Sequence, residues 1–393
     1  MSLEFRPPRD RAEALAFLDF AGPALLAPRS GAEAFLDREG LEPMRLLLEN
    51  GRIVAGLSMR SMAQYFGGRA VPSLAFRMVA VEPGSRGRGV ASALLKAALE
   101  EGKAVHPIAM LYPATVGFYR NLGFEEAGHY MRVEVPTREL PDGRSARAAV
   151  RELPVREVPL DDPALRVIYE ADAARSGGAF VRDAWLWNRL LRPIVPGPDR
   201  IAYLLGPESA PEGYLITAFE HQPGGRHGTL LVKDRAFLTA RAVQRAQIFL
   251  CHHASTLSRV RLEGGAPDAL LSGLANHAFE IPYTERWMVR LLDPGRALAL
   301  RGYSAAVRAE VHLTIVDPGF EPDATRLILS VEGGQARTAP GGRGDVVVDA
   351  RGLAALYTGF ASPSDIRLQG YTDDAEALAG VFAGPTPALR DFV

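Results

Sequence analysis

The stretch that decides the fold is MVAVEPGSRGRGVASALLKAALEEG, Met78–Gly102, which joins a strand, a basic turn and a helix. Met78–Val81 is apolar and predicts a strand, and the residues around Pro83 end it. From Val90 onward, apolar residues recur every three or four positions, which predicts an amphipathic helix. Its predicted buried stripe consists of Val90, Ala91, Leu94, Leu95, Ala98 and Leu99. Gly102 is the expected residue just beyond the helix end.

The turn between this strand and this helix has the chemistry of an anion site. Gly87 and Gly89 carry no Cβ, so their main chain can approach a ligand closely, and Arg86 and Arg88 add positive charge. The first N–H groups of the helix have no partner inside the helix, and its dipole favours an anion. The spacing matches neither a P-loop nor a dinucleotide-binding G-x-G-x-x-G. An ordinary basic turn before a surface helix is the alternative.

Length and composition exclude several classes of protein. The 393 residues suggest two or three domains, and 47% hydrophobic residues are enough for a sizeable core. A net charge of −1 gives no overall attraction to nucleic acid or to an anionic membrane. The single cysteine, Cys251, excludes an internal disulfide and a multi-cysteine metal site, and its apolar surroundings favour packing over reactivity.

No targeting segment, membrane span or metal site is expected. Arg6, Asp10 and Arg11 interrupt any apolar run near the start, and no apolar stretch approaches the ~18 residues of a membrane span. The sequence therefore predicts a soluble, cytoplasmic protein. The histidines lack the spacing of metal ligands, which favours structural roles for His106, His129, His252 and His253.

The first third predicts two helices followed by an antiparallel meander. The predicted helices are Asp10–Phe20 and Ala32–Leu36, and the predicted strands are Arg52–Met59, Gln64–Pro72 and Ser73–Val81. Aromatic and acidic side chains cluster in the helices. They are either helix core with solvated faces or a wall facing a cationic amine: Phe17, Asp19, Phe20, Phe35 and Asp37.

Beyond the long helix, the chain predicts a strand at Ile108–Leu111, a short helix at Thr115–Asn121 and a strand at Glu125–Val135. The motif FYRNLGF, Phe118–Phe124, begins in this short helix and continues past the Gly123 that closes it. This motif, with Arg86-x-x-Gly89-x-Ala91 before it, resembles the two hallmarks of the GCN5-related N-acetyltransferases (GNAT). The resemblance implies that Tyr119 lies beside the sulfur of coenzyme A and acts as general acid. Tyr112 and Tyr130 are the competing candidates.

The same resemblance implies a set of residues that bind acetyl-CoA. The main chain of Val79, Ala80 and Val81 would bind the thioester and the pantetheine arm. The pyrophosphate would lie against the main chain of the turn and helix start, at Arg86, Gly87, Arg88, Gly89, Val90, Ala91 and Ser92.

Residues 146–292 predict a second α/β unit. Helices are expected at Pro163–Ala174, Phe180–Leu191 and Arg235–Leu257, and strands at Ile201–Leu205, Gly213–Glu220, Gly228–Val232, Arg259–Glu263 and Thr284–Leu292. The order of elements indicates a repeat of the first unit, but the position of the cofactor loop reads LVKDRA, without glycine. A structural repeat without a second catalytic centre is therefore expected.

The C-terminal residues predict a different unit. Strands are expected at Ala309–Val316, Thr325–Glu332, Gln335–Thr338 and Asp345–Asp349, and helices at Arg351–Thr358 and Asp373–Phe382. The stretch DVVVDARGLAALYTGF resembles a sterol-carrier-protein domain. Such a domain would either bind a lipid or serve as a scaffold, and few aromatic or Met residues favour the scaffold.

The three units together resemble the enhanced-intracellular-survival (Eis-type) N-acetyltransferases. This implies an α/β (α+β) chain with a catalytic GNAT domain at 1–145, a motif-less GNAT-like domain at 146–292 and a sterol-carrier-protein-like domain at 293–393. It also implies a hexamer that acetylates small-molecule amines of aminoglycosides, polyamines or lysine with acetyl-CoA and without metal. Protein lysines and spermidine are alternative acceptors, and a non-enzymatic lipid or acyl-CoA binding protein is the rival of another class.

In the same family the chain's terminal carboxylate reaches the active site, which makes Val393 a candidate general base. An α-carboxylate has a pKa near about 3.3–3.7, so it is a weak base unless burial raises that value. A chain end is otherwise expected to fray. The terminal residue of the family is often aromatic, and Val393 departs from that pattern while keeping the carboxylate.

Overall fold

The computed structural model describes residues 3–26, 28–144, 146–194, 197–221, 227–265, 268–317, 319 and 321–393. Within them the chain builds a twelve-stranded sheet from its first three quarters and a four-stranded sheet from the remainder. Helices cover both sheets, so the predicted mixed α/β fold class is confirmed.

The strands of the large sheet are β1 (Leu3–Arg6), β2 (Met44–Glu49), β3 (Arg52–Phe66), β4 (Arg69–Val81), β5 (Ile108–Leu111), β6 (Glu125–Pro136), β7 (Val155–Val158), β8 (Arg200–Leu205), β9 (Gly213–Glu220), β10 (Gly228–Phe237), β11 (Leu257–Gly264) and β12 (Glu280–Leu291). Those of the small sheet are β13 (Ala309–Asp317), β14 (Glu321–Glu332), β15 (Gln335–Pro340) and β16 (Val346–Asp349).

The helices in chain order are α1 (Arg11–Ala24), α2 (Ala32–Glu39), α3 (Val90–Lys103), α4 (Val116–Arg120), α5 (Ala148–Arg151), α6 (Pro163–Ala173), α7 (Ala184–Leu191), α8 (Ala240–Cys251), α9 (Pro294–Leu300), α10 (Ala350–Thr358) and α11 (Pro363–Leu368). None of the described helices is long and apolar enough to cross a membrane.

The two halves of the large sheet exchange a strand. The order is β1-β2-β3-β4-β5-β12-β6-β11-β10-β9-β8-β7, so β12 lies between β5 and β6. Leu291 of β12 pairs with Ile108 of β5, while β6 pairs with β11 through Val135 and Val260. Each half thus completes its sheet with a strand from the other half. The predicted division at residue 145 stays a prediction, and a cut there would break both halves.

The meander between α2 and α3 differs from the predicted one. One long hairpin of β3 and β4 replaces the three predicted strands, and its turn is Gly67-Gly68, both with positive φ. The predicted break near residue 60 was wrong because continuous antiparallel pairing, from Phe66–Arg69 to Ala55–Val81, extends both strands. The strand β2 also lies in a stretch that predicted mostly helix; it forms a hairpin with β3 through Glu49 and Arg52, and its other partner, β1, lies about 40 residues earlier in the chain.

The helix α3 forms as predicted, with Val90, Leu94, Leu95, Ala98 and Leu99 buried, while Ala91 of the predicted stripe is only half-buried. The prediction for Gly102 was wrong, because the helix continues to Lys103. A Cβ on Gly102 would lie 2.4 Å from the side chain of Leu74, so this glycine allows α3 to approach β4.

Three other predicted helices change their limits. α7 begins at Ala184 rather than at residue 180, because the side chain of Asp183 caps it. The predicted helix Arg235–Leu257 begins only at Ala240, because β10 extends to Phe237 and Thr239 caps α8. The predicted helix Asp373–Phe382 was wrong: it contains only a short 3-10 turn, and the helix of this region is α11, which starts with a capping box at Ser362.

The C-terminal unit is packed against the large sheet. Seven residues of α10 are buried, including Leu353, Leu356 and Tyr357, and they share one hydrophobic core with Trp287 of β12. This helix therefore fills the space between the two sheets, which supports the scaffold interpretation. Gly67 and Gly302 also meet here, since a Cβ on Gly302 would lie 1.9 Å from the Gly67 carbonyl oxygen.

Candidate active site

The first feature of the site is an opening between β4 and β5. The two strands are parallel and pair only where Ser73–Ala75 faces Ile108–Met110. Beyond these pairs β4 continues to Val81, while β5 ends at Leu111. The far half of β4 therefore presents main-chain donors and acceptors that no described strand uses on that side. A ligand with amide groups can pair with such an edge.

A bulge in β4 lies beside this opening. Arg77 pairs with Ser58, but the next pair is Ala80 with Gly56, so Met78 and Val79 together face one residue of β3. Met78 has a φ of +53°, which few residues other than glycine adopt. A bulge turns main-chain groups out of the ladder. The predicted thioester-binding residues Val79, Ala80 and Val81 follow this bulge directly.

The turn after β4 leaves space for a ligand at its glycines. Gly87 and Gly89 have φ values of +75° and +78°, and a Cβ on either would meet nothing within 4 Å. Arg88 is engaged by Glu49 at 2.7 Å, and Nε of Arg86 lies 3.5 Å from the Val81 carbonyl oxygen. Gly89 precedes α3, and no side chain of the described residues caps the helix there. The turn therefore fits a pyrophosphate through its main chain.

The corresponding helix start in the second half is already satisfied. The Thr239 hydroxyl accepts the N–H of Ala242 at 3.2 Å, and it donates to Glu212 at 2.7 Å. Arg241 also binds this carboxylate. The main-chain donors at the start of α8 thus have a partner within the protein, which supports the expectation of no second catalytic centre.

Tyr119 lies in α4 and packs among aromatic rings. It is 6% exposed, and its ring centre lies 5.1 Å from that of Phe118 and 6.1 Å from that of Phe124. Burial raises the pKa of its phenol to about 12. Its hydroxyl donates to no other residue in the described part of the chain, so its proton is available to a ligand.

The two competing tyrosines instead hold the end of the chain. The Tyr112 hydroxyl donates to the carbonyl oxygen of Asp391 at 3.1 Å. The ring of Phe392 lies 4.3 Å from the ring of Tyr112 and 5.3 Å from that of Tyr130. Their position makes Tyr112 and Tyr130 supports of the tail.

The C-terminal tail is docked, contrary to the expectation for an ordinary chain end. Pro387 bridges to Gly177 and Ala388 to His129, and the Ala388 N–H donates to the Gly177 carbonyl at 2.8 Å. Val393 packs against the large core that α10 completes. The terminal carboxylate is therefore carried on an ordered segment that lies against the carboxyl end of β5.

Two arginines, one buried and one half-buried, hold Asp391 and Phe392. Arg182, with 1% of its side chain exposed, binds Asp234 at 2.5 Å and Asp391 at 3.1 Å. Burial raises the pKa of Asp391 although Arg182 opposes this shift. Arg189 donates to the carbonyl oxygen of Phe392 at 2.7 Å. Sequence reasoning missed both arginines, since their partners lie about 200 residues away in the chain.

A second missed group lies beside the bulge. Glu39 of α2 is buried and accepts hydrogen bonds from Arg77 and Ser58, both at 2.6 Å. Close by, the guanidinium groups of Arg60, Arg77 and Arg189 lie against the ring of Trp185. The only sequence signal is that Trp185 and Arg189 lie four positions apart, on one face of α7.

The predicted aromatic wall is helix core. Phe17 is fully buried and packs edge-on against Phe20 with ring centres 5.4 Å apart. Asp19 is exposed, and Asp37 pairs with Arg11 at the surface at 2.8 Å.

Among the residues that the structure describes, no group of three metal-ligating side chains occurs. Cys251 is buried, as predicted, and burial raises its pKa.

Comparison with known families identifies all three units. Models of an acetyltransferase (GNAT) domain match residues 10–127 and 178–291, and a sterol carrier protein domain matches residues 294–390. The chain is a tandem GNAT acetyltransferase. It is 26% identical over 344 residues to an uncharacterized N-acetyltransferase of Streptomyces coelicolor, covering 80% of this chain and 78% of that protein.

Solved structures share the whole architecture of this tandem GNAT enzyme. A GCN5-related N-acetyltransferase from Anabaena variabilis superposes with a TM-score of 0.91 at 29% identity, over 100% of both chains. Eis1 from Mycobacterium abscessus superposes with a TM-score of 0.79 at 19% identity, also over 100% of both chains. The fold is therefore of the Eis type, and acetyl-CoA is the co-substrate that GNAT domains use.

Proposed function

We propose that this enzyme transfers the acetyl group of acetyl-CoA to a primary amine at one site, in the first GNAT domain, through a ternary complex. The observation that carries the proposal is the opening between β4 and β5, which lies beside the bulge at Met78 and leads to the uncapped start of α3. The co-substrate supplies a thioester carbonyl that the amine attacks directly.

The main chain of the first domain would hold acetyl-CoA. The N–H groups of Val79, Ala80 and Val81 bind the thioester oxygen and the pantetheine amides. The residues Arg86, Gly87, Arg88, Gly89, Val90, Ala91 and Ser92 surround the pyrophosphate, mostly through main-chain N–H groups. A negative charge at this helix start is stabilised by the dipole of α3.

Tyr119 acts as the general acid of this mechanism. As the nitrogen–carbon bond forms and the carbon–sulfur bond breaks, the electron pair of the broken bond passes to sulfur. The Tyr119 hydroxyl gives its proton to that thiolate and is reprotonated from solvent. Support comes from its unpartnered hydroxyl and from burial, which raises its pKa to about 12 and keeps the phenol protonated.

The carboxylate of Val393 acts as the general base. It accepts, directly or through one water, the proton that the ammonium group of the acceptor must lose before its nitrogen can attack the thioester carbonyl. The docked tail supports this role, because Arg189 holds Phe392 by its carbonyl and Tyr112 holds Asp391. Holding the base beside the substrate removes the entropic cost of bringing the two together, and burial of the carboxylate at the docked tail would raise its pKa and make it a better base.

The acceptor that the Eis-type resemblance favours is an amine of an aminoglycoside, a polyamine or lysine. A homo-oligomer, a hexamer by the same resemblance, is part of this proposal. Light scattering during size-exclusion chromatography measures the mass of the assembly. The mass of a single chain would contradict the proposed hexamer.

Calorimetry and a thiol-release assay test the proposed activity. Titration of acetyl-CoA into the full chain is expected to show one site per chain, and CoA release is expected with at least one amine of a panel of aminoglycosides, polyamines and lysine. Absence of both binding and release overturns the proposal. Two sites per chain would contradict the assignment of a single catalytic centre.

A further inference from the structure

Three guanidinium groups converge on one tryptophan beside the proposed acetyl site. The Cζ atoms of Arg60, Arg77 and Arg189 lie 4.2, 4.7 and 5.7 Å from the ring centre of Trp185. They come from β3, β4 and α7. Arg77 directly precedes the bulge at Met78, and Arg189 holds the residue before Val393. The group, here called the Trp185 cluster, therefore touches both sides of the site.

The carboxylates of this region do not balance the positive charge. In the described part of the chain, Glu39 is the ion-pair partner of Arg77 and Arg60, and Arg189 has none. Both oxygens of Glu39 are in use, one by Arg77 and the other by Ser58 and Arg60. The nearby Asp391 is held by Arg182.

Two buried donors of the cluster have no acceptor among the described residues. These are Nε of Arg77, a residue only 7% exposed, and Nε1 of Trp185. A buried N–H without a partner costs about 1–3 kcal/mol, so such donors are normally satisfied. Both donors are offered beside an excess of positive charge, and both require an oxygen.

Arg189 shows the same deficit of negative charge. Burial, and after it the charge of Arg77, lowers the pKa of the Arg189 guanidinium to about 10. Its side chain is nevertheless half-buried rather than enclosed, and it reaches solvent on the face that holds Phe392. An incoming anion would therefore meet an accessible guanidinium next to the two unpartnered donors.

We propose that the Trp185 cluster binds an anionic group of the acceptor, so that the preferred substrate is an amine that also carries a carboxylate or a phosphate. This inference rests on the proposed acetyl transfer and narrows its acceptors to amino-acid-like amines such as lysine, away from polycations. Guanidinium and indole N–H groups are suited to oxyanions, and Arg binds carboxylate and phosphate in two-point contacts.

Matched acceptors test this charge requirement. Lysine and cadaverine differ only by the carboxylate, and phosphoethanolamine and ethanolamine differ by the phosphate. We expect kcat/KM for lysine or for phosphoethanolamine to exceed that of its partner without the anionic group by about 10-fold or more, as for a hydrogen bond to a charged group. The two pairs distinguish a carboxylate from a phosphate. Equal or better use of cadaverine and spermidine overturns the inference and leaves the acetyl transfer intact.

Two variants test whether a preference for acceptors with an anionic group depends on the Trp185 cluster. Trp185→Phe removes one donor and keeps the ring, and Arg189→Gln removes a charge and keeps an N–H for the Phe392 carbonyl. Each is expected to lower the ratio of the two kcat/KM values by about 5-fold or more. The matched control is Trp187→Phe on the same helix, whose ring packs on Tyr169 instead. An unchanged ratio in both variants contradicts the role of the cluster.

A binding measurement does not depend on turnover. Glutarate, which has carboxylates but no amine, is expected to raise the unfolding temperature of the full chain above that in sodium chloride of equal ionic strength. Arg189→Gln is expected to abolish the difference. If no amine is acetylated but glutarate still stabilises the protein, the proposed function fails while the anion site stands. No stabilisation by glutarate or by phosphate overturns the anion site.

Discussion

The hydroxyl of Tyr119 and the ring nitrogen of Trp185 are both donors without a protein partner in the described chain, yet their assigned roles differ. Tyr119 lies in the core between α3 and α4, where its neighbours are apolar. Trp185 lies among guanidiniums that have only one carboxylate to share. The surroundings therefore suggest a proton donor in the first case and an anion site in the second.

Replacing Tyr119 by Phe removes the proposed acid and preserves the packing of its ring. We expect kcat to fall by about 100-fold or more, because a positioned general acid contributes about 10²- to 10⁴-fold. The affinity for acetyl-CoA should change little. Stopped-flow release of CoA and calorimetry measure the two quantities. Tyr112→Phe is the comparison, and an equal loss of kcat in that variant with none in Tyr119→Phe would reassign the acid.

The raised pKa of Tyr119 also predicts how kcat/KM depends on pH on the alkaline side. The active form is the protonated phenol, and a pKa of about 12 keeps it protonated where an ordinary tyrosine begins to ionise. The acceptor must lose a proton, so kcat/KM should rise with pH as the ammonium deprotonates. No fall should follow below pH 10, since Tyr119 ionises only above that value. A descending limb with a midpoint near pH 9 would show that another group is the acid.

The turn between β4 and α3 is the element that could be predicted best from the sequence. Its strand, glycines and helix are local, so composition and spacing suffice, and the buried stripe of α3 matches the prediction. The strand exchange could not be predicted in this way, because Leu291 finds Ile108 across more than 180 residues. The tail contact of Arg182 with Asp391 likewise depends on a distant partner.

A strained residue at Gly89 tests the turn. Gly89 has a φ of +78° at the start of α3, where a β-branched side chain is unfavourable by about 1–2 kcal/mol. Gly89→Val should weaken acetyl-CoA binding by about 10-fold or more by moving the first N–H groups of the helix. Gly370→Val is a matched control, with a φ of +76° and open space around it. Calorimetry with equal losses in the two variants would contradict the assignment of the turn.

The whole chain acts as one unit because the C-terminal part positions a tail that ends in the first domain. The sheets of the two GNAT domains exchange β6 and β12, and α10 packs against both. The hairpin tip of β3 and β4 meets the C-terminal part at Gly302, whose N–H donates to the Phe66 carbonyl at 2.9 Å. We therefore propose that the C-terminal part delivers the tail.

A methyl group at Gly302 tests this delivery. Its Cβ would collide with the Gly67 carbonyl, and main chain on both sides cannot yield easily. Gly302→Ala should lower kcat by about 10-fold or more while acetyl-CoA still binds, because the turn before α3 lies at the opposite end of β4 from this contact. Gly295→Ala is the control, since its nearest atoms lie at an ordinary 3.5 Å. A loss of acetyl-CoA binding equal to the loss of kcat would contradict the division of roles.

The most direct test of the mechanism is to neutralise the terminal carboxylate and leave everything else in place. Ligation of a synthetic C-terminal peptide can produce the full chain with Val393 as a carboxamide. We predict that the rate of acetyl transfer in a single turnover then falls by about 100-fold or more, with the Kd for acetyl-CoA unchanged. A rate equal to that of the chain ligated with the free carboxylate would contradict the assignment of Val393 as the base.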